Sequence, residues 1–353
     1  MRLILWLYIL GLVIEGAGAH AAQYVNGIPN LFNDSPSMTQ GQDTLGRACY
    51  SLQASSLDLD CNPAFMADEQ KTQLRINILG NDRLLQLNHY REQLNNNDQL
   101  SVANELLQQS DPLIAKASIS VWFQHDWWAV GYVPFRAGFA FTQSNPAYPE
   151  ISTQMYKESE LFANAGLYSS DDNNFRVGLS GRYVQRNYVY QNFAVFDALA
   201  DPSLVEIKHE SALYLEPGVV YAWKTNWDPM FSWTYTNFPV FQTGDRLPIQ
   251  PLFDFGFSSS LGDFSHAFHS ALHYTSRPDA VDFFSRLSWG ATYNFDERAA
   301  ANLLLGTSQF GLGANGRLDF VDLGVSYKAE RLQVEPGRMV TVSTLTVETG
   351  LAF

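Results

Sequence analysis

The sequence predicts an all-β chain: a transmembrane antiparallel β-barrel of 12 or 14 strands with an N-terminal plug segment and a short helical insertion. Three observations predict it: an export signal at the start, long stretches of period-two alternation, and a terminal strand ending on an aromatic residue. The chain opens Met1-Arg2, runs apolar from Leu3 to Ile14 and reaches small residues ending Ala17-Gly18-Ala19-His20-Ala21, the order of a signal peptide. Cleavage is expected after Ala21, with Ala19 as the alternative, so residues 1–21 form the leader. The apolar run is shorter than the ~18 residues a membrane-crossing helix needs, and no later stretch reaches that length. The expected location is the outer membrane of a Gram-negative bacterium.

Alternation carries most of the argument. From Arg286 to Phe295 the odd positions Leu287, Trp289, Ala291, Tyr293 and Phe295 are apolar, and the even ones are polar or Gly, as a strand with one greasy and one wet face requires. The same pattern recurs around Phe253–Leu261, Val321–Lys328, Phe175–Arg182 and Leu213–Lys224. Candidate strands are 71–79, 115–124, 127–142, 157–170, 174–190, 208–224, 227–240, 249–261, 265–277, 281–295, 298–311, 316–330 and 338–353. Most exceed the usual soluble strand and reach the ~9 to 11 residues a tilted membrane strand needs. Single-chain bacterial barrels have even strand counts, so these candidates should resolve to 12 or 14.

A soluble β-sandwich or β-helix alternates equally well. Against it, aromatics make up 14% of the chain, and Trp127, Trp128, Trp223, Trp227, Trp233, Tyr274, Tyr293 and Phe353 fall near proposed strand ends, where interfacial girdles lie. The end, Leu345 to Phe353, alternates and closes on an aromatic. It resembles the terminal signal read by the barrel-assembly machinery, with Phe353 as the assembly residue.

Residues 22–70 are irregular and rich in Asn, Asp, Ser and Gln. Residues 71–353 form the barrel, interrupted at about 84–112 by a helical pattern with Leu84, Leu85, Leu87, Tyr90 and Leu94, closed by Asp111-Pro112. The formal charge of −14 stays with the mature chain, because Arg2 and Glu15 leave together. No Lys/Arg cluster exists to hold phosphates, which excludes nucleic acid as a partner.

If apolar faces look outward, Arg176, Arg182, Glu216, Asp254, His269, His273, Arg286, Asp322, Lys328 and Glu348 point into the lumen. Both signs are represented, so they should pair with one another or with the plug. Cys49 and Cys61 are the only cysteines. In an oxidising compartment they are expected to bond; a two-cysteine metal site lacks nearby ligands to complete it. No metal spacing, phosphate loop, Rossmann fingerprint or Gly-x-Ser-x-Gly elbow occurs. No cofactor and no catalytic residue is expected, and polar lumen lining accounts for the histidines.

The stretch Leu45-Gly46-Arg47-Ala48-Cys49-Tyr50-Ser51 followed by Cys61-Asn62-Pro63-Ala64-Phe65-Met66 resembles the N-terminal region of the long-chain fatty-acid transporter (FadL) superfamily. The layout, with a polar helical insertion and then Ser120-Val121-Trp122-Phe123 and Trp127-Trp128-Ala129-Val130-Gly131, is closest to its TraF-like and PorV-like branches. The resemblance implies that residues 22–70 form a plug, with its motif at Asn62, Pro63 and Ala64, inside a 14-stranded barrel passing a small hydrophobic molecule. Its second implication is a non-transporting structural or partner barrel for a secretion or conjugation system. An outer-membrane lipid hydrolase is a third reading. Outer-membrane lipid is the expected surrounding partner in each.

The cysteine reading predicts that unfolded, non-reduced protein takes up no thiol alkylating reagent. Two alkylated thiols per chain would refute it.

Overall fold

The computed structural model describes residues 39–54, 57–68, 71–95, 101, 105, 112–143, 150–194, 206–245, 249, 251–262, 267–276, 283–296, 298–335 and 338–353. The predicted signal peptide, the first part of the predicted plug and much of the 84–112 insertion lie outside these residues. Within the insertion, a helix α2 covers Arg83–Asn95; a shorter α1, Gln40–Leu45, precedes the first strand.

The strands are β1 Thr72–Gly80, β2 Leu113–His125, β3 Trp128–Gln143, β4 Glu150–Ser169, β5 Phe175–Ala194, β6 Lys208–Ala222, β7 Met230–Thr236, β8 Phe238–Gly244, β9 Leu252–Leu261, β10 Phe268–Thr275, β11 Leu287–Asp296, β12 Ala299–Gly306, β13 Gln309–Leu318, β14 Val321–Glu335 and β15 Arg338–Ala352. Consecutive strands pair antiparallel, except that β8 pairs with β6 and β9 with β7. β1 closes the sheet on β15, with Gln73 opposite Ala352 and Gly80 opposite Leu345. β7 and β8 are one strand interrupted at Asn237, both pairing with β6. The result is a closed 14-stranded barrel.

The interruption has a local cause. Asn237 takes φ 58°, a left-handed conformation that Asn tolerates. Beyond it β9 pairs with β7 and not with β8, which leaves one side of β8 unpaired among the described residues. Pro239 sits there, where a missing N–H costs little.

The faces are inverted relative to a soluble protein. On β1, Leu74, Ile76 and Ile78 are exposed, Ile78 by 54%, whereas Gln73, Arg75 and Asn77 are buried and Arg75 is 0% exposed. An apolar exterior around a polar interior is the arrangement lipid imposes on a barrel. Exposed aromatics cluster at one end (Trp127, Tyr168, Phe175, Tyr221, Trp223, Trp227, Phe295, Phe320) and at the other (Phe238, Phe241, Phe283, Phe284). The first end has tight turns, carried by Asp126, Asn173 and Asp319 at positive φ.

One strand escaped the sequence reading. The region 298–330 was expected to hold two strands and holds three, β12 to β14. On β13 the outward positions are Phe310, Leu312 and Ala314, but the inward ones include Gly311 and Gly313. Glycine hides the polar half of the alternation. This strand raises the thirteen candidates to fourteen.

Phe353 closes the seam: its N–H donates to the Thr72 carbonyl at 3.1 Å while its ring is exposed. Phe353→Ala is predicted to lower the yield of heat-modifiable barrel while leaving the urea midpoint of the assembled fraction unchanged. An unchanged yield would remove the assembly role.

Candidate functional site: an occupied lumen

Residues 39–54 and 57–68 of the N-terminal segment pack against the inward faces of the strands. Thr39 caps α1, its hydroxyl accepting from the Gln42 N–H at 3.2 Å. Gly46, at φ 51°, ends the helix and turns the chain into a 3-10 turn, Gly46–Ser51. A second 3-10 turn covers Pro63–Asp68. Asn62 starts it: its side-chain oxygen accepts from the Ala64 N–H at 3.0 Å, and its amide donates to the Tyr50 carbonyl at 3.3 Å. Pro63 supplies the fixed φ of a first helical position, and Ala64 is fully buried. Cys49 and Cys61 are disulfide-bonded with Cα atoms 5.6 Å apart, which ties the two turns together.

Three sets of contacts hold this segment against the wall. First, α1 meets β14 and β15. The Gln40 N–H donates to Glu348 Oε2 at 3.0 Å, and Gln40 Nε2 to the Val325 carbonyl at 3.0 Å. Asp43 accepts from Thr346 Oγ1 at 2.7 Å and from Asn77 at 3.1 Å. Burial pushes the Asp43 carboxyl up to about 6, against the opposing pull of those two donors.

Second, Arg47 reaches β9 and β7. It forms a two-pronged ion pair with Asp254, its Nε 3.0 Å from Oδ1, and donates to Thr236 Oγ1 at 2.6 Å. His273 on β10 joins the same cluster, Nδ1 2.7 Å from Ser51 Oγ and Nε2 3.1 Å from Asp254 Oδ1.

Third, the wall offers glycine wherever the segment's backbone comes close. A Cβ on Gly178 would overlap the Pro63 carbonyl, one on Gly218 the Asn62 side chain, one on Gly166 the Ala67 backbone and one on Gly311 the Thr44 carbonyl. Only glycine permits such approach.

The Ser51–His273–Asp254 chain has the residue types of a hydrolytic triad. Ser51 is 1% exposed, and a Cβ on Gly256 would overlap its hydroxyl. The walls close on the serine, so an acyl group has no place to sit against it. In this geometry the chain is a polar anchor.

Farther along the same strands, β3 to β6 carry a ladder of charges. Glu158 lies between Arg136 (2.7 Å) and Arg186 (2.7 Å). Glu160 lies between Arg136 (3.0 Å) and Arg182 (3.4 Å). Glu210 pairs with Arg186 at 3.2 Å and Glu216 with Arg182 at 2.8 Å. Arg182 also donates to Asn237 at 2.7 Å, and the Asn237 N–H donates to Glu216 at 3.0 Å. The ladder thereby holds the strand break. Across the lumen, Arg75 pairs with Asp322 (2.8 Å) and Glu348 (2.7 Å). A cavity of ≈ 20 Å³ between segment and ladder, lined by Gln42, Tyr50, Asn164, Ser180, Arg182 and Glu216 among others, has room for about one water.

Beyond the ladder, away from the segment, the lining becomes apolar and aromatic. Tyr156, Tyr188 and Tyr190 pack with Ile249, which also touches the cluster of Val184, Ala212 and Tyr214. Ile114, Ala140, Leu332 and Val342 form a second patch. On β4 ten residues separate Tyr156 here from Gly166 at the segment, about 33 Å of strand.

Among the residues expected in the lumen, Arg182, Glu216, Asp254, His273, Asp322 and Glu348 are buried in these clusters. Arg176 is buried with its guanidinium 5.4 Å from the Phe65 ring centre. Lys328 stands 3.6 Å from Glu330, and His269 is 2.6 Å from Ser260 Oγ. Arg286 differs from expectation: it ends a 3-10 turn, Phe284–Arg286, and donates to the outward-facing Tyr274 hydroxyl at 3.3 Å. The alternation extended to it starts only at Leu287.

Sequence reasoning passed over Arg47, Arg75, Arg136, Glu158, Glu160, Arg186 and Glu210. Arg186 shares strand and parity with Arg182, and Glu210 with Glu216, so both were findable. The register shift between Val133 and Arg136 conceals Arg136.

No protein-family model and no curated protein matches the chain. Solved structures similar to it include a TodX deltaS2S3 mutant monoaromatic hydrocarbon channel (10% identity, 89% of this chain and 98% of that one, TM-score 0.48) and the CymD monoaromatic hydrocarbon channel (8%, 93% and 96%, 0.44). LpxR from Salmonella typhimurium is also similar (8%, 80% and 100%, 0.34). Likenesses this distant carry no function, and they do not bear out a placement in the TraF-like or PorV-like branch.

Two outcomes follow. Arg47→Ala leaves Asp254 enclosed without its cation and should destabilise the barrel by about 3–5 kcal/mol in urea unfolding; a loss below 1 kcal/mol would show the anchor to be idle. Asp43 holds its proton more tightly when folded, about 6 against 3.8, so its contribution favours the folded state at low pH and fades as pH rises through that window. Asp43→Asn should remove that part of the pH dependence. An identical pH profile would contradict the shift.

Proposed function

We propose that the protein is an outer-membrane transport barrel whose N-terminal segment acts as the plug, passing a small hydrophobic molecule. The observation that supports this reading is the division of the lumen. Residues 39–54 and 57–68 fill one end, and the wall at the other end turns apolar and tyrosine-rich. A barrel that only needed filling would have no use for an apolar inner face at one end, since polar side chains on the strands satisfy one another there as readily as elsewhere. The plug motif Asn62-Pro63-Ala64, the lumen-facing charges and the Cys49–Cys61 bond then serve one purpose, holding a removable obstruction in a fixed position.

A second reading is a structural or partner barrel of a secretion or conjugation system. It is favoured by the backbone-on-glycine seating at Gly166, Gly178 and Gly311, which moulds the segment into the wall as a permanent filling.

Planar-bilayer recording separates the two. The full chain should conduct little, and deletion of 22–66 should raise single-channel conductance at least several-fold while heat-modifiable migration confirms an intact barrel. If the deleted, folded barrel stays closed, the partner reading prevails. An open full-length pore would refute the plug.

A further inference from the structure

We propose that the charge ladder of β3 to β6 is a specificity element that admits neutral amphiphiles bearing a hydroxyl or amide group and rejects carboxylates. This inference rests on the transport reading and names the substrate class for it. A carboxylate entering from the apolar end meets Arg186, Arg136 and Arg182 first as possible partners. None of the three is available. Each is already bound by two glutamates, and Glu158 and Glu160 are each shared between two arginines. Four glutamates against three arginines leave the ladder one negative charge in excess, in an interior where screening by salt is weak. To bind, an anion must expel a buried glutamate from its guanidinium, which exchanges one ion pair for another and leaves a second carboxylate enclosed without a cation.

A neutral polar group faces no such exchange. Arg136 Nη2 and Glu160 Oε1 are buried and have no partner among the described residues, although Arg136 Nη1 and Glu160 Oε2 bond each other at 3.0 Å. One is a donor and the other an acceptor. A hydroxyl accepts from the first and donates to the second; a primary amide does the same. A carboxylate, an acceptor only, satisfies the arginine and repels the glutamate. The remainder of such a molecule would lie against Tyr156, Tyr188 and Ile249, where apolar surface is already gathered.

The test is uptake by cells that lack their other outer-membrane channels and express the full chain, at pH 7.5, with decan-1-ol and decanoate as matched probes. The alcohol should enter at least tenfold faster than in cells without the protein, and decanoate should show no more than a twofold gain. Glu216→Gln and, separately, Glu210→Gln each remove one of the two carboxylates on a guanidinium and the ladder's excess negative charge, and should raise decanoate uptake at least fivefold; two variants guard against one failing to assemble. Equal entry of both probes through the unaltered protein would overturn the proposal and leave transport standing. Variants that assemble yet gain no decanoate uptake would also overturn it. If neither probe enters above the control, the transport reading itself fails.

Discussion

A charge enclosed in a barrel must find an opposite charge, because the apolar wall and the lipid behind it leave no water to solvate it. That constraint organises this molecule. Strands that turn Leu74, Ile76 and Ile78 outward must turn Gln73, Arg75 and Asn77 inward, and the same parity around fourteen strands delivers a lumen crowded with ions. Some settle with neighbours on the wall, as Arg186 does with Glu158 and Glu210. Others also draw on the N-terminal segment. Asp254 finds Arg47, 207 residues away in sequence, and Glu348 takes the Gln40 N–H in addition to Arg75. The N-terminal segment is therefore part of the electrostatic solution of the barrel as well as an object within it.

Packing follows the same logic at shorter range. The segment is mostly irregular backbone, so it brings many amides and carbonyls that need close partners. Side chains on the wall would hold it away. Glycine at Gly178, Gly218 and Gly311 lets it settle against strand backbone, and the disulfide keeps the two 3-10 turns in one arrangement, so that contacts with β9 and β10 on one side and with β4 to β6 on the other are made together. The strand break at Asn237 belongs to this network, since Arg182 and Glu216 hold both its side chain and its N–H.

How much of this the sequence disclosed depends on the range of the interaction. Alternation is a property of neighbouring residues, and it revealed the class of fold and most strands. It failed on β13 because Gly311 and Gly313 stand where the segment presses closest; the feature that seats the segment erases the local signal. It misled at Arg286 because a 3-10 turn breaks the parity just before β11. Asn62-Pro63-Ala64 was legible because capping and fixed φ are local. The pairing of Arg47 with Asp254, or the meeting of Ser51 with His273, is settled only when the barrel closes, and no spacing in the chain announces it.

The account stands on the segment being seated in the lumen by these contacts. Amide hydrogen exchange on the full chain, resolved over residues 40–66, addresses that directly. Amides there should exchange far more slowly than those of exposed loops, with protection approaching that of β9 and β14. Exchange at the rate of exposed loops, with the strands still protected, would mean that the segment does not occupy the lumen and would contradict the account.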